Sequence, residues 1–306
     1  MDQIFLAQAF RLAQQGRFTT DPNPRVGCVL VRDGRVIGEG FHQVAGGPHA
    51  EAEALANATE SVVGATAYVT LEPCSYHGRT PSCADALIKA GVTRVVAAAP
   101  DPHPRNRGAG FDLLEAAGIE VIRDGDQAGA KALNPGHEKN HSEGRPYVRL
   151  KLAATMDGFT GLPNGQSQWI TSPAARLEVQ RMRAQSSAIV TGANTVLSDD
   201  PELTVRDPRI DPKYSEIILA RPKPVYVLDS QSRTAATAKV YENPLARQVC
   251  GSDTINAHPM ALKTKLNPGG QIDLPLFFEA LAAKGVLEVL VECGPTLAGA
   301  VMQANL

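Results

Sequence analysis

The sequence predicts an α/β protein of two domains, and three observations carry that reading. Strand-like apolar runs alternate with helix-forming stretches along both halves of the chain. A polar stretch, Glu138–Pro146 (EKNHSEGRP), with Gly and Pro at its end, interrupts the pattern and reads as a linker. The chain is 306 residues long, the length of about two domains. The expected division is a first domain over 1–144 and a second over 145–306.

The elements follow in order. Leu6, Ala9, Phe10 and Ala13 recur at i, i+3, i+4, i+7, the apolar face of an amphipathic helix. Val26–Arg32 and Arg35–His42 are strand-like and joined by Asp33-Gly34, a two-residue hairpin signal. Ala50–Ala58 (AEAEALANA) is strongly helix-forming, with Pro48 before it at the entry turn. Ala67–Leu71 reads as a buried strand, Ala84–Ala90 as a helix and Thr93–Ala99 as another strand. Leu113–Ala117 and Ile119–Ile122 add a helix and a strand. Together they make a three-layered domain with one hairpin.

In the second half, Tyr147–Ala154 reads as a strand and Met156-Asp157-Gly158 as a turn. Ser172-Pro173 is a cap followed by proline at the first helical position, opening a helix through about Arg183. Ala188–Thr191, Pro224–Asp229 and Leu287–Glu292 are further strand-like runs, and the charged, proline-rich Arg206–Pro224 reads as a long surface loop. Thr191–Thr195 and Glu292–Ala300 each run from a strand through glycine into a helix. Such a turn presents free N–H groups and a positive dipole to phosphate, although each is equally an ordinary turn when taken alone.

Composition excludes several classes. Apolar residues make up 43% and charged residues 20%, as in a globular protein with sizeable cores. A net charge of −2 gives no basic field for a nucleic-acid backbone. The N-terminus lacks a basic region before a long apolar run, and no run approaches the roughly 18 apolar residues that cross a bilayer. Five cysteines without a framework pattern fit a reducing cytoplasm.

His49-Ala-Glu51, followed by Pro73-Cys74 and Cys83, carries the chemistry. One imidazole and two thiolates are the three protein ligands of an open catalytic zinc site. Glu51 is then the proton carrier, taking a proton from a metal-activated water and handing it to a leaving amine. The pattern is similar to the H-x-E, P-C-x-x-C signature of zinc nucleobase deaminases. It departs from that signature in the eight residues between the cysteines, Ser75–Ser82. That loop carries His77, Gly78 and Arg79, and an arginine suits a substrate phosphate. On a regular helix residues two apart point to nearly opposite sides, so His49 and Glu51 share a site only at an entry turn. Cys83 likewise opens a helix, where the positive end favours thiolate.

The competing readings are bland. Cys28, Cys250 and Cys293 lie in or beside apolar strand-like runs and read as core residues. A structural zinc closed by His77 as fourth ligand is the alternative to a catalytic one, and Glu51 is what such a module would not need.

Longer segments widen the resemblance. TTDPNPRVGCVLV, GPHAEAEAL, TLEPCSYHGRTPSC, LKLAATMDG, SQWITSPAAR, DDPELTVR and VECGPTLAGA, spread over nearly the whole chain, resemble the bifunctional deaminase/reductase family of riboflavin biosynthesis. The eight-residue spacing between the cysteines is specific to this family among deaminases. The resemblance implies a cytidine-deaminase-like three-layer α/β/α domain and a dihydrofolate-reductase-like α/β domain. The first would use zinc on His49, Cys74 and Cys83, with Glu51 shuttling protons, to deaminate 2,5-diamino-6-ribosylamino-4(3H)-pyrimidinone 5′-phosphate. The second would use NADPH to reduce the product's ribosyl chain to ribityl. It places NADP contacts at Ala153, Trp169, Thr195, Asp199, Ser230 and the turn Gly294, Pro295, Thr296, Leu297, Ala298, Gly299 and Ala300. Substrate contacts are implied at Ser167, Arg183, Leu203, Arg206 and Glu292, with Lys151 and Glu292 the charged groups nearest hydride transfer and Arg183 and Arg206 on the phosphate.

The resemblance further implies a homo-oligomer, which with the composition makes a cytoplasmic protein without nucleic-acid or membrane partners the expectation. The family continues for several strands past Asn305-Leu306, so the reductase domain is expected to be cut short at its C-terminus. It also has His and Asn where Tyr76 and His103 stand, which alters ribose-phosphate recognition. A deaminase of another pyrimidine nucleotide, with an inactive or regulatory second domain, is the alternative reading.

Overall fold

A computed structural model describes residues 1–76, 82–162 and 170–306. The chain forms two compact units, Met1–Glu143 and Gly144–Leu306.

In the first unit the helix α1 (Asp2–Ala13) buries Leu6, Ala9 and Ala13, three of the four residues its periodicity marks as the inward face. The strands β1 (Gly27–Arg32) and β2 (Arg35–Phe41) form the hairpin. Its turn residues Asp33 and Gly34 both have left-handed φ, 52° and 75°, the geometry that matches strand twist in a two-residue turn. Then come α2 (Ala50–Ala56), β3 (Thr66–Val69), α3 (Cys83–Ala90), β4 (Arg94–Ala97), α4 (Ala109–Ala116), β5 (Glu120–Ile122), α5 (Gln127–Leu133) and α6 (Pro135–Glu143). The sheet order is β2-β1-β3-β4-β5, with β3, β4 and β5 parallel and β1 antiparallel to both its neighbours.

Alternation along β1 separates the two faces. Cys28 and Leu30 pack with Ala50, Ala54, Leu87, Phe111 and Leu114 from α2, α3 and α4. Val29 and Val31 pack with Leu6, Ala9 and Ala130 from α1 and α5. The result is a three-layer α/β/α domain. Close approach fixes α2 on the sheet: a Cβ on Gly40 would stand 2.3 Å from Ala54 N and 2.5 Å from Ala50 O, so only glycine fits beneath that helix.

The stretch 138–146 is not simply a linker, because its first six residues close α6. Pro135 occupies the first turn, where a missing N–H costs nothing, and Glu138 N donates to Asn134 O at 3.0 Å. The helix is polar and buries only Gly136 and His137, and it ends before Gly144, whose φ of +69° no ordinary side chain favours.

The second unit contains β6 (Tyr147–Lys151), α7 (Pro173–Gln185), β7 (Ala188–Gly192), α8 (Ala193–Asp199), α9 (Ser215–Leu219), β8 (Val225–Leu228), β9 (Ala246–Gly251), β10 (Leu262–Thr264), α10 (Leu274–Ala283), β11 (Glu288–Glu292) and α11 (Pro295–Gln303). Its sheet is parallel throughout, in the order β10-β9-β8-β7-β11-β6. Both faces are covered, one by α10 and α11 through Phe277, Phe278, Leu281 and Val301, the other through Val196, Leu203 and Val240. Ser172 caps α7 by accepting from Ala175 N at 3.2 Å. The segment 206–224 is shorter in loop than its charge suggests. It contains a 3₁₀ turn, Pro208–Ile210, and α9, which are anchored by the buried side chains of Ile210, Tyr214 and Ile218.

All strands of a parallel sheet end on one edge, and ligands of such sheets sit in the crevice beyond those carboxyl ends. Lys151, Gly192, Leu228 and Glu292 are the last residues of their strands here.

Candidate active sites

In the first unit, His49 is the residue immediately before α2, with extended backbone (φ −76°, ψ 164°), and Glu51 is in its first turn. That geometry resolves the spacing problem, since the helical twist has not begun at His49. Cys74 lies beyond β3 and Cys83 opens α3, whose cap Ser82 accepts from Asp85 N at 3.2 Å. The loop start is fixed to the helix start: Ser82 Oγ donates to Cys74 O at 2.9 Å and Cys83 N donates to Cys74 Sγ at 3.3 Å. His49 Nδ1 stands 3.6 Å from Cys74 Sγ and 3.3 Å from Cys83 Sγ. The three ligand atoms all lie within 4.8 Å of one another.

This donor set fits zinc, and the electrostatics agree. The Cys83 hydrogen bond and then His49 pull the Cys74 thiol down to about 4, while the same contact and burial push Cys83 up. Two thiols this close share one negative charge until a cation relieves their repulsion. Glu51 is 3% exposed, and burial first, then the Cys74 charge, raises its carboxyl above the usual range.

Several supporting residues carry no sequence motif of their own. His42 lies edge-on to His49 with ring centroids 5.6 Å apart, its Nε2 3.0 Å from Asn23 Nδ2 and its Nδ1 2.8 Å from Pro48 O. Buried Glu72 accepts from the backbone N–H groups of Asp101, Gly108 and Gly110 at 2.9–3.0 Å. Asn106 accepts from Ser75 N at 2.9 Å. Glu72 and Asn106 clamp the Pro73–Ser75 backbone that carries Cys74. A glutamate two residues before a ligand cysteine was the only available signal. Arg105 covers the Tyr76 ring at 4.3 Å, and His103 and His137 both stack edge-on to His141. His77 and Arg79 lie outside the described residues.

In the second unit one cavity of about 1280 Å³ opens along the carboxyl edge of the parallel sheet, roomy enough for a dinucleotide beside a substrate. It brings together Lys151, Ala153, Arg183, Thr195, Asp199, Leu203, Arg206, Ser230 and Glu292, together with Gly294, Pro295, Thr296, Leu297 and Ala300 of the turn into α11. Ala298 faces the core at 3% exposure, and neither it nor Gly299 lines the cavity. Ser167 and Trp169 lie outside the described residues. Lys151 and Glu292 are register partners at the ends of β6 and β11.

Arg183 differs from its expected position on a phosphate. Its Nε and Nη2 donate to the two carboxylate oxygens of Glu292 at 2.5 and 3.0 Å, and its Nη1 donates to Thr204 O at 3.0 Å. The side chains are 11% and 7% exposed, so a buried charge on each finds its counterpart in the other. Arg206 stays 58% exposed, with Glu202 3.5 Å away.

A zinc-deaminase-like unit and a reductase-type unit on one chain define a bifunctional class. Residues 1–99 match the cytidine and deoxycytidylate deaminase zinc-binding region, and residues 146–306 match the RibD C-terminal domain. The chain is 48% identical to the riboflavin biosynthesis protein RibD of Escherichia coli over 315 residues, covering 100% of this chain and 85% of the other. It is 42% identical to the Haemophilus influenzae protein of the same name, covering 100% and 83%. Among solved structures, Acinetobacter baumannii RibD superposes with a TM-score of 0.87 at 43% identity, covering 99% of this chain and 83% of that one. A Thermotoga maritima diaminohydroxyphosphoribosylaminopyrimidine deaminase/5-amino-6-(5-phosphoribosylamino)uracil reductase gives 0.85 at 34%, covering 99% and 84%. The chain belongs to the RibD family of riboflavin biosynthesis. With that membership come a zinc-dependent deaminase and an NADPH-dependent reductase. Among the described residues no helix is long and apolar enough to cross a membrane.

Proposed function

We propose that the domain at 1–144 deaminates 2,5-diamino-6-ribosylamino-4(3H)-pyrimidinone 5′-phosphate and that the domain at 145–306 reduces the product's ribosyl chain to ribityl. The observation carrying this reading is the cluster of His49 Nδ1 with the Cys74 and Cys83 sulfurs, with the buried carboxyl of Glu51 two residues after His49 in the first turn of α2.

His49, Cys74 and Cys83 would hold the zinc. When bound, the metal supplies a water acidic enough to be used near neutral pH. Glu51 takes that proton and returns it to the departing ammonia nitrogen, and the burial that excludes water keeps the proton on this path. Arg79 suits the substrate phosphate.

For the reductase, NADPH supplies the hydride. Lys151, Ala153 and Glu292 define the end of the cavity where the ribose C1 would be reduced. Glu292, fixed by Arg183, gives Lys151 an ionised carboxylate on the neighbouring strand, and the Lys151 ammonium is the proton source nearest the opened sugar oxygen. Arg206, exposed at the cavity wall, suits the phosphate, while Leu203 and Ser167 complete the substrate side. Thr195, Asp199, Ser230, Trp169 and, from the turn into α11, Gly294, Pro295, Thr296, Leu297 and Ala300 serve the dinucleotide. The net charge of −2 gives no field for nucleic acid, and family resemblance supports a cytoplasmic homo-oligomer.

The test is ammonia release from the diamino-pyrimidinone ribosyl phosphate by zinc-loaded protein, with NADPH oxidation followed in the same cuvette. Ammonia followed by NADPH loss supports both roles. Ammonia without NADPH loss removes the reductase assignment, and no ammonia removes the deaminase one.

A further inference from the structure

The first unit carries a group of imidazoles that deamination leaves unused. His137 and His141 both belong to α6, and His103 reaches them from the segment after β4. The His141 ring lies edge-on to both others, with centroids 4.7 Å from His137 and 4.6 Å from His103. Three of the chain's seven histidines thus meet at one place. We infer that these three imidazoles form a second metal site, distinct from the His49 cluster, that takes one late first-row divalent ion such as Ni²⁺.

The spacing comes from the helix. Residues four apart are neighbours on one helical face, and two histidines so placed can hold one ion between them. Pro135 opens α6, so both histidines fall within its nine residues. His137 is 8% exposed and anchored, its Nε2 donating to Asp101 Oδ1 at 2.9 Å. A carboxylate on one ring nitrogen fixes the tautomer, leaves the lone pair on the other, here Nδ1, and makes that nitrogen a stronger ligand. The same Asp101 Oδ1 accepts from His103 N at 2.9 Å, which ties the third histidine's backbone to the first.

The electrostatics suit a cation on neutral ligands. Burial first, then the neighbouring imidazoles, push the His141 pKa down to about 4, so near neutral pH its ring is uncharged and offers a lone pair. Asp101 supplies negative charge beside His137. Arg105 lies over the Tyr76 ring at 4.3 Å and Arg107 donates to Pro102 O at 3.1 Å. Both arginines are exposed, so water and salt screen their repulsion of an ion. His103 Nδ1 accepts from Arg105 N at 3.1 Å. A metal on its Nε2 moves the ring proton to Nδ1 and gives up that single contact. Among the described residues only the His49 cluster already has three ligand atoms within 4.8 Å of one another. The imidazoles therefore close on the ion, with the half-buried His103 and His141 turning towards the fixed His137. Imidazole nitrogen selects nickel, copper or zinc over magnesium and calcium.

The test uses the full chain with one equivalent of zinc already bound, so that the thiolates of the first cluster are occupied. Ni²⁺ is titrated by calorimetry, and its effect on thermal unfolding is recorded, for the wild type, His141→Gln, His103→Gln and the control His258→Gln. The wild type and the control are expected to bind one Ni²⁺ per chain and to gain Tm as its concentration rises, as any ligand of the folded state requires. His141→Gln and His103→Gln should each bind it at least roughly 10-fold more weakly, since even an outer partner of a ligand histidine is worth about that much. Retained zinc and a cooperative thermal transition without Ni²⁺ show that these variants are folded. A wild type that takes up no Ni²⁺, or binds it no more tightly than His141→Gln and His103→Gln do, overturns the inference and leaves the three rings as packing.

Discussion

Arg183 and Glu292 meet as a two-pronged pair, Nε to Oε1 at 2.5 Å and Nη2 to Oε2 at 3.0 Å, from the last turn of α7 to the last residue of β11. A third N–H of the same guanidinium holds Thr204 O. The residue before it, Leu203, is buried with φ +52°, a left-handed conformation that a leucine adopts only under external constraint. One guanidinium therefore orients the carboxylate beside Lys151 and pins the strained turn leading to Arg206.

Replacing Arg183 by Leu leaves a buried carboxylate unpaired, which costs about 3–5 kcal/mol. Chemical denaturation should report that loss in the second unit. Arg183→Lys keeps the charge but not the fork, so it should be milder in stability yet still lower the reductase kcat. Wild-type kcat in the lysine variant would show that Glu292 needs no such orientation.

Glu51→Gln preserves shape and removes the proton acceptor. It should bind zinc as the wild type does, because none of the three clustered ligand atoms is its own, and lose deamination by about 10²–10⁴-fold. Metal content by elemental analysis and ammonia release decide this, and NADPH oxidation with supplied deaminated substrate should be untouched.

Gly110 lies under the ligand loop. A Cβ there would sit 1.9 Å from Pro73 O, next to Cys74. Gly110→Ala must push that backbone away, for about 1–3 kcal/mol of destabilisation, and should lower zinc retention during chelator challenge. Unchanged zinc release would show that the loop relaxes without moving Cys74.

The metal cluster was legible because its residue types are chemically rare together and because Pro48 and Cys83 stand at the openings of two helix-forming runs. Its scaffold was not. Glu72, Asn106 and Asp101 act through contacts between segments about 30 residues apart, which no local spacing encodes. The same limit explains Arg183: the resemblance puts it on the substrate phosphate, and only the fold reveals its pairing with a glutamate 109 residues away. Strand order in the parallel sheet was likewise invisible, since each strand is an apolar run with no sign of its neighbour. The polar end of α6 was misread as linker because the residues this helix buries are Gly136 and His137, so it lacks the apolar stripe that marks others.

That helix end supplies the pH prediction. His141 stacks against His137 and His103, at centroid distances of 4.7 and 4.6 Å. Burial first, then the two neighbouring imidazoles and Arg107, push its pKa down to about 4, with Asp101 opposing. A folded pKa below the unfolded value of about 6.5 means the unfolded chain binds more protons between the two. Stability contributed by neutral His141 is therefore full above about 6.5 and is lost as pH falls towards 4. The ring is only partly buried, so solvent screening reduces the loss to on the order of 1 kcal/mol. His141→Gln cannot take the proton and should flatten this part of the profile. Thermal unfolding at pH 7.5 and 5.0 should show a smaller drop in Tm for the variant than for the wild type. An equal drop would mean that the histidine takes up its proton in the folded protein as readily as in the unfolded one.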